Sequence, residues 1–397
     1  MQQQVTGKEI KLPWLLVAGL LNNMGQSFIW PLTTIYIHDA LHESLTVVGL
    51  VLLFNSTANI IGAYLGGWLF DRVDAYKLTL IATVYEFIAT AFLIFWHGWP
   101  AFPIGLVFMG FGSGLLITLI NSLGTTIKSR DGRYVFNMIY FMQNLGVVFG
   151  TMMVGFVYEH GVQYLFIITA AMYVAYFFIA MTQFNVDSVR AHAAHAKQTK
   201  SKIKLPKPNL IIIWTFFATL IVIWIMYEQW TSNMAVYMTD QGIPLTKYSL
   251  LWTINAGLIL VFQMGVNFLG DRIRNPYYQI IPGIAAVAIS FVILLFVKQY
   301  IGFVLAIAVL TLGEATAFPA IPAIVNQLTP LDVKGKYQGA VNASAAAGRA
   351  IGPLLGGVLI DATSYKFLFG FAAVAIALTW IMVIVIRRLM YHKTTQY

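Results

Sequence analysis

Cysteine is absent from all 397 residues, which excludes disulfides, thiol chemistry and cysteine-ligated metals. Histidine is scarce, seven residues at scattered, loop-like positions without ligand spacing, so neither a metal centre nor a resident cofactor is expected. Charge is short as well: Asp, Glu, Lys and Arg make up 10% of the chain, where a soluble domain carries about a quarter. A water-soluble globule is thereby excluded. No nucleotide-binding P-loop and no nucleophile with a base beside it occurs, which argues against an enzyme. The alternating polar pattern of an outer-membrane barrel is missing too, so the expected spans are helices.

What the chain has is apolar length. Hydrophobic residues make up 59% of it, with 28 Phe, 20 Tyr, 10 Trp and 32 Gly, the aromatic and glycine excess of helix bundles in lipid. A span needs about 20 apolar residues, and the apolar stretches fall near 14–37, 45–70, 77–96, 101–127, 134–157, 163–184, 209–238, 247–270, 277–297, 301–328, 337–361 and 366–390. The fold class is therefore an all-α membrane protein with twelve transmembrane helices. The segment before the first span has no small-residue cleavage site, so that span is expected to be kept.

The formal net charge of +9 could suggest a nucleic-acid partner, but its placement speaks against one. Twenty of the 24 bases lie in alternate loops and at the two ends; Lys247, Lys298 and Lys366 lie in the opposite loops, and Arg349 falls inside a span. By the positive-inside rule both termini and the basic middle loop are cytoplasmic, in a multi-pass protein of the plasma membrane. The polar, basic stretch 186–208 divides the chain into an amino-terminal six-helix bundle, 1–185, and a carboxy-terminal one, 209–397. That linker either only enforces topology or touches anionic lipid headgroups.

The halves echo each other. Leu69-Phe70-Asp71-Arg72-Val73 matches Leu269-Gly270-Asp271-Arg272-Ile273, and Gly132-Arg133-Tyr134 matches Gly335-Lys336-Tyr337. Gly146, Gly150 and Gly155 match Gly348, Gly352 and Gly357. An internal duplication with parallel halves follows, an arrangement found in secondary transporters.

Gly67-Trp68-Leu69-Phe70-Asp71-Arg72-Val73-Asp74-Ala75-Tyr76-Lys77 resembles the loop 2–3 signature of the major facilitator superfamily, with Asp74 where a glycine is usual. The resemblance implies the major facilitator fold of two pseudo-symmetric bundles and a gate latch at Asp71, with Arg72 and Lys77 beside it and Asp271 and Arg272 in the repeat copy. Gly66 and Gly67 would let the second helix pack closely on a neighbour. Gly348-Arg349-Ala350-Ile351-Gly352-Pro353-Leu354-Leu355-Gly356-Gly357 resembles the antiporter motif of the drug:proton branch, here complete on the eleventh span. Its glycines allow close helix approach, and Pro353 removes a backbone donor and can serve as a hinge.

Three acids fall inside spans: Glu86, Glu228 and Glu314. An ionised one costs about 2.5 to 3.5 kcal/mol on insertion scales, so each should face a cavity, pair, or hold a proton. Competition between a proton and a cationic substrate for one carboxylate is antiport in its simplest form. Thr311-Leu312-Gly313-Glu314, Met226-Tyr227-Glu228-Gln229 and Tyr140 with Gln143-Asn144-Leu145 resemble segments of the secondary multidrug exporters of lactococci, although Ile139 stands where those have an acid. Arg349 is a candidate partner of Glu314, or of backbone carbonyls. Glu86 is read either as a third coupling acid or as one half of a structural pair.

Asn22 and Gln26, Asn55 and Asn59, and Tyr140 and Asn144 are each four apart and share a helix face; Tyr227 and Trp230 accompany Glu228. A lining of amides, rings and few acids suits bulky, amphipathic, cationic molecules. The expected function is a monomeric, proton-coupled exporter working by alternating access, whose partners are a small-molecule substrate, protons and membrane lipids. The alternative is a dedicated proton-coupled transporter of one metabolite, sugar or lipid-linked compound.

Overall fold

The computed structural model describes residues 9–70, 72–127, 129–130, 132–186, 205–270, 275–330, 334–390 and 393–395. Among them twelve long helices account for most of the chain: α1 (Leu12–Ile35), α2 (Leu45–Phe70), α3 (Ala75–Phe95), α4 (Ala101–Gly124), α5 (Gly132–Tyr158), α6 (Val162–Gln183), α7 (Lys207–Ser232), α8 (Leu245–Gly270), α9 (Tyr277–Leu294), α10 (Tyr300–Gln327), α11 (Lys334–Ala362) and α12 (Tyr365–Met390). Eleven have the length and apolar composition to cross a membrane. The twelfth, α1, breaks its apolar run with Asn22, Asn23 and Gln26. Helices suit a lipid solvent because each satisfies its own backbone.

The ends follow local chemistry. Pro13 sits in the first turn of α1 and Pro208 in that of α7, where a missing N–H costs nothing. Arg387 and Arg388 close α12, where cations meet the negative end of the helix dipole. The stretch read from sequence as one span over 209–238 is interrupted: α7 stops at Ser232 and a short helix, Met234–Asp240, follows. There the side chains of Thr231 and Ser232 both donate to the carbonyl of Glu228, at 3.0 and 2.6 Å, and such local bonds compete with regular helix.

Contacts divide the chain into two compact units, one of Met1–Leu41 with Val51–Gln198 and one of His42–Leu50 with Thr199–Tyr397. In the first unit α1 packs on α5 and α6, and α3 on α4 and α6. In the second, α7 packs on α11 and α12, and α9 on α10 and α12, the same pairs shifted by six helices. The duplicated glycines make equivalent contacts. A Cβ on Gly146 would meet the Leu20 carbonyl of α1 at 2.6 Å, and one on Gly348 the Ile221 carbonyl of α7 at 2.7 Å.

A second glycine device joins α2 to α4. A Cβ on Gly62 would collide with the Phe111 carbonyl oxygen, and one on Gly114 with that of Asn59. One turn along, a Cβ on Gly66 would lie 3.2 Å from the Leu115 carbonyl, whereas one on Gly67 would make only ordinary contact with Thr118. The close packing expected of Gly66 and Gly67 therefore belongs to Gly62 and Gly66, because positions four apart share a helix face. Apolar side chains such as Ile81, Phe95 and Leu378 are exposed along the helices, which suits contact with hydrocarbon.

Candidate functional site

The carboxy-terminal unit gathers two of the three intramembrane acids. Tyr227 and Glu228 are neighbours on α7, and the rotation of about 100° per residue sends them to different helices. Tyr227 turns towards α10, where its hydroxyl donates to Glu314 Oε2 at 3.0 Å. Asn255 of α8 donates to the same oxygen at 3.0 Å and to Thr311 Oγ1 at 2.8 Å. Both side-chain donors to Glu314 are thus neutral. Such bonds are worth about 1.5 to 3 kcal/mol to an ionised acceptor and less to a neutral one.

Glu228 turns towards α11. Its carboxylate accepts from the Thr231 hydroxyl of its own helix. A Cβ on Gly352 would lie 2.7 Å from Glu228 Cβ, and one on Gly348 would lie 2.6 Å from Trp224 Cβ. Gln229 fastens the same seam by donating to the Gly352 carbonyl at 2.8 Å, and its own oxygen accepts from Asn233 at 2.7 Å. Further along the motif, Gly356 lies against Gln229, Gly357 meets the Leu45 carbonyl at the start of α2, and Pro353 lies inside α11.

Arg349, on α11, places its guanidinium carbon 4.5 Å from the centre of the Trp224 ring. Of the partners expected for Arg349, Glu314 is taken up by Tyr227 of α7 and Asn255 of α8, while Arg349 itself lies over Trp224 on the α7–α11 seam. Rings complete the site. Trp224 is centred 5.1 Å from Tyr227 and 5.0 Å from Phe318, and Tyr227 is centred 5.8 Å from Phe318 and 6.2 Å from Trp252.

The third acid lies in the amino-terminal unit. Glu86 of α3 is fully buried; its Oε1 accepts from Gln26 Nε2 of α1 at 2.8 Å and from the Tyr173 hydroxyl of α6 at 3.3 Å. Gln26 also donates to that hydroxyl oxygen at 2.9 Å, closing a triangle of neutral groups round one carboxyl oxygen. Oε2 has no hydrogen-bond partner among the described residues and faces Gly112 of α4, where a Cβ would collide with it. The partners of Glu86 are thus an amide and a phenol.

The other expected residues separate. Asn55 donates to the Leu106 carbonyl of α4 at 2.5 Å, and Trp230 is fully buried. Asn22 is buried, Asn59 is half-buried beside α4, and Tyr140 is exposed on α5, its carbonyl accepting from Asn144 at 2.8 Å. Asp71, Asp271 and Arg272 lie outside the described residues. Arg72 stacks over Trp68 at 4.0 Å. Asp74 caps α3, accepting from the backbone N–H groups of Tyr76 and Lys77 at 2.9 and 3.2 Å. Asp74→Ala should cost about 1 kcal/mol, read as a lower unfolding midpoint in detergent; an unchanged midpoint would show that the cap adds nothing.

Sequence reading missed Asn255, Trp224, Trp252, Phe318 and Tyr173. Asn255, an amide in the middle of an apolar run, carried the same signal as Asn22 and could have been found. The other four, aromatics among the chain's 28 Phe, 20 Tyr and 10 Trp, carried none.

Comparison with known proteins agrees with this architecture. The family model of the Major Facilitator Superfamily matches residues 15–312 and 231–396. The uncharacterized MFS-type transporter YttB of Bacillus subtilis (strain 168) is 37% identical over 393 residues, covering 96% of this chain and 94% of that protein. A second Bacillus subtilis protein, the uncharacterized MFS-type transporter YqjV, is 24% identical over 376 residues, 88% of this chain and 86% of that protein. Among solved structures, the POT family transporter PepTSo superposes with a TM-score of 0.81 at 16% identity, over 96% of this chain and 98% of that one. The nucleoside transporter NupG gives 0.80 at 14% identity, over 94% and 99%. At such identities these two speak for the fold alone. The family model and a full-length relative supply the rest, and the chain belongs to the Major Facilitator Superfamily as a multi-pass membrane transporter rather than an enzyme.

Proposed function

We propose that this transporter is a proton-coupled exporter of amphipathic, cationic small molecules, working by alternating access as a monomer in the plasma membrane. The observation that carries this reading is the pair Glu314 and Glu228 set among Trp224, Tyr227, Trp252 and Phe318. Rings offer faces to a bulky cation, and a carboxyl group that holds a proton in one state and a cation in the other couples the two fluxes. Glu86 is a third proton site in this scheme, and Gln26 links it to α1. Asp71, with Arg72 and Lys77 and the repeat copies Asp271 and Arg272, forms the latch. The basic loops and both termini face the cytoplasm, the stretch 186–208 joins the bundles, and Pro353 is the hinge of α11.

The test uses inverted vesicles with an acidic interior and a fluorescent lipophilic cation outside. The parent should accumulate the cation and lose it when the gradient is collapsed. Glu228→Gln should lower the initial rate about tenfold, the equivalent of one lost charge-assisted interaction. Accumulation that ignores the gradient would sink the proton-coupled reading. A single-metabolite transporter is the second reading, favoured by Ile139 in place of a fifth-helix acid. A substrate panel in which one compound alone moves with protons would establish it.

A further inference from the structure

Arg349 is a cation inside an apolar span, and it belongs neither to the latch nor to the acids that hold protons. Its position follows from the glycines on either side of it. Gly348 brings the backbone of α11 against Trp224, and Gly352 brings it against Glu228, one turn further along α7. A side chain between those two contacts is delivered to the Trp224–Glu228 edge with little freedom to go elsewhere. The guanidinium lies over the Trp224 ring at 4.5 Å, well inside the range of a cation–π contact. The same ring is centred 5.0 Å from Phe318 and 5.1 Å from Tyr227, so its face is part of the aromatic site. Glu228 lies on the same seam, its Cβ against Gly352, three residues along α11 from Arg349.

We propose that Arg349 is a built-in cation of the aromatic site, seated on Trp224 at the seam that also carries Glu228, and that a lipophilic cationic substrate binds by taking over that ring face from it. The proposal rests on the cation-exporter reading and adds the residue that sets charge preference and affinity. A tethered cation has a high local concentration, so a free cation must outcompete it. Weak cations of small contact area are thereby refused, and bulky ones that also cover Phe318 and Tyr227 are accepted. The competition also returns the site to its resting arrangement when the substrate leaves.

The probe is tetraphenylphosphonium, measured by equilibrium dialysis against the purified full-length chain in detergent, beside tetraphenylborate, which has the same shape and the opposite charge. Arg349→Gln should bind tetraphenylphosphonium about tenfold more tightly than the parent, with no gain for tetraphenylborate. Arg349→Lys keeps the charge but loses the planar stack, and should gain less. The gain of Arg349→Gln should vanish when Glu228→Gln is added, since the carboxylate that draws a cation to that seam is then gone. A change that moved both probes in the same direction would mark a merely structural loosening and overturn the proposal. Parent-like or weaker phosphonium binding by both Arg349 variants would overturn it as well and leave the exporter reading standing. If the parent and every variant fail to bind tetraphenylphosphonium, the exporter reading falls, and the proposal with it. Should Arg349→Gln not be monodisperse, Arg349→Lys decides alone, and parent affinity in that variant counts against the proposal.

Discussion

Glu314→Gln is expected to lower gradient-driven uptake of a lipophilic cation in inverted vesicles about 100-fold, the equivalent of about 3 kcal/mol. The substitution is nearly isosteric, and the Gln amide oxygen can still accept from Tyr227 and Asn255, which today donate to Oε2 at 3.0 Å each. The loss would therefore come from chemistry rather than from a collapsed site: an amide can neither release a proton nor take up the negative charge that a cation seeks. The effect should exceed that of Glu228→Gln, because Glu228 lies on the seam that also carries the cation Arg349, whereas both side-chain donors to Glu314 are neutral. Glu314→Gln should remain folded and monodisperse while its uptake becomes insensitive to the pH gradient. Parent-level, gradient-dependent uptake in this variant would refute the assignment of Glu314.

The second large effect is structural. Gly114→Ala should destabilise the amino-terminal unit by about 3 kcal/mol, at the upper end of what overpacking costs. The added methyl would meet the Asn59 carbonyl and, at 2.9 Å, the Ala63 nitrogen, both backbone atoms of α2 that cannot rotate away. Gly62→Ala should do the same from the other side against Phe111. The controls are Gly257→Ala and Gly370→Ala, where an added Cβ meets nothing within 4 Å. Those changes should leave the unfolding midpoint in detergent unchanged or slightly higher, since alanine favours helix over glycine by about 1 kcal/mol. A Gly114→Ala protein as stable as its Gly257→Ala counterpart would mean that α2 and α4 do not approach this closely.

The duplication shows how much a local pattern can carry. Gly146 with Gly150 and Gly348 with Gly352 were legible as paired stripes because a glycine four residues from another always shares its face. The structure seats them on α1 and α7, the first helix of each half. The α2–α4 seam was only half legible. Gly66 was read with its sequence neighbour Gly67, but adjacent residues point about 100° apart, and the working partner of Gly66 is Gly62.

Scarcity of charge, by itself, determined that this chain crosses a membrane many times as helices and that Glu86, Glu228 and Glu314 are its candidate acids. An acid in an apolar run is visible without any knowledge of its surroundings, because its cost depends on the solvent alone. The tertiary structure alone decided the company each acid keeps. Tyr227 lies 87 residues from Glu314, and Gln26 lies 60 residues from Glu86. Such pairs depend on how far each helix is rotated about its own axis and at what height it meets its neighbour. Neither quantity is written in the hydropathy of a single span. It is set by which small residues let two backbones approach, and on α11 that choice placed Arg349 over Trp224 of α7.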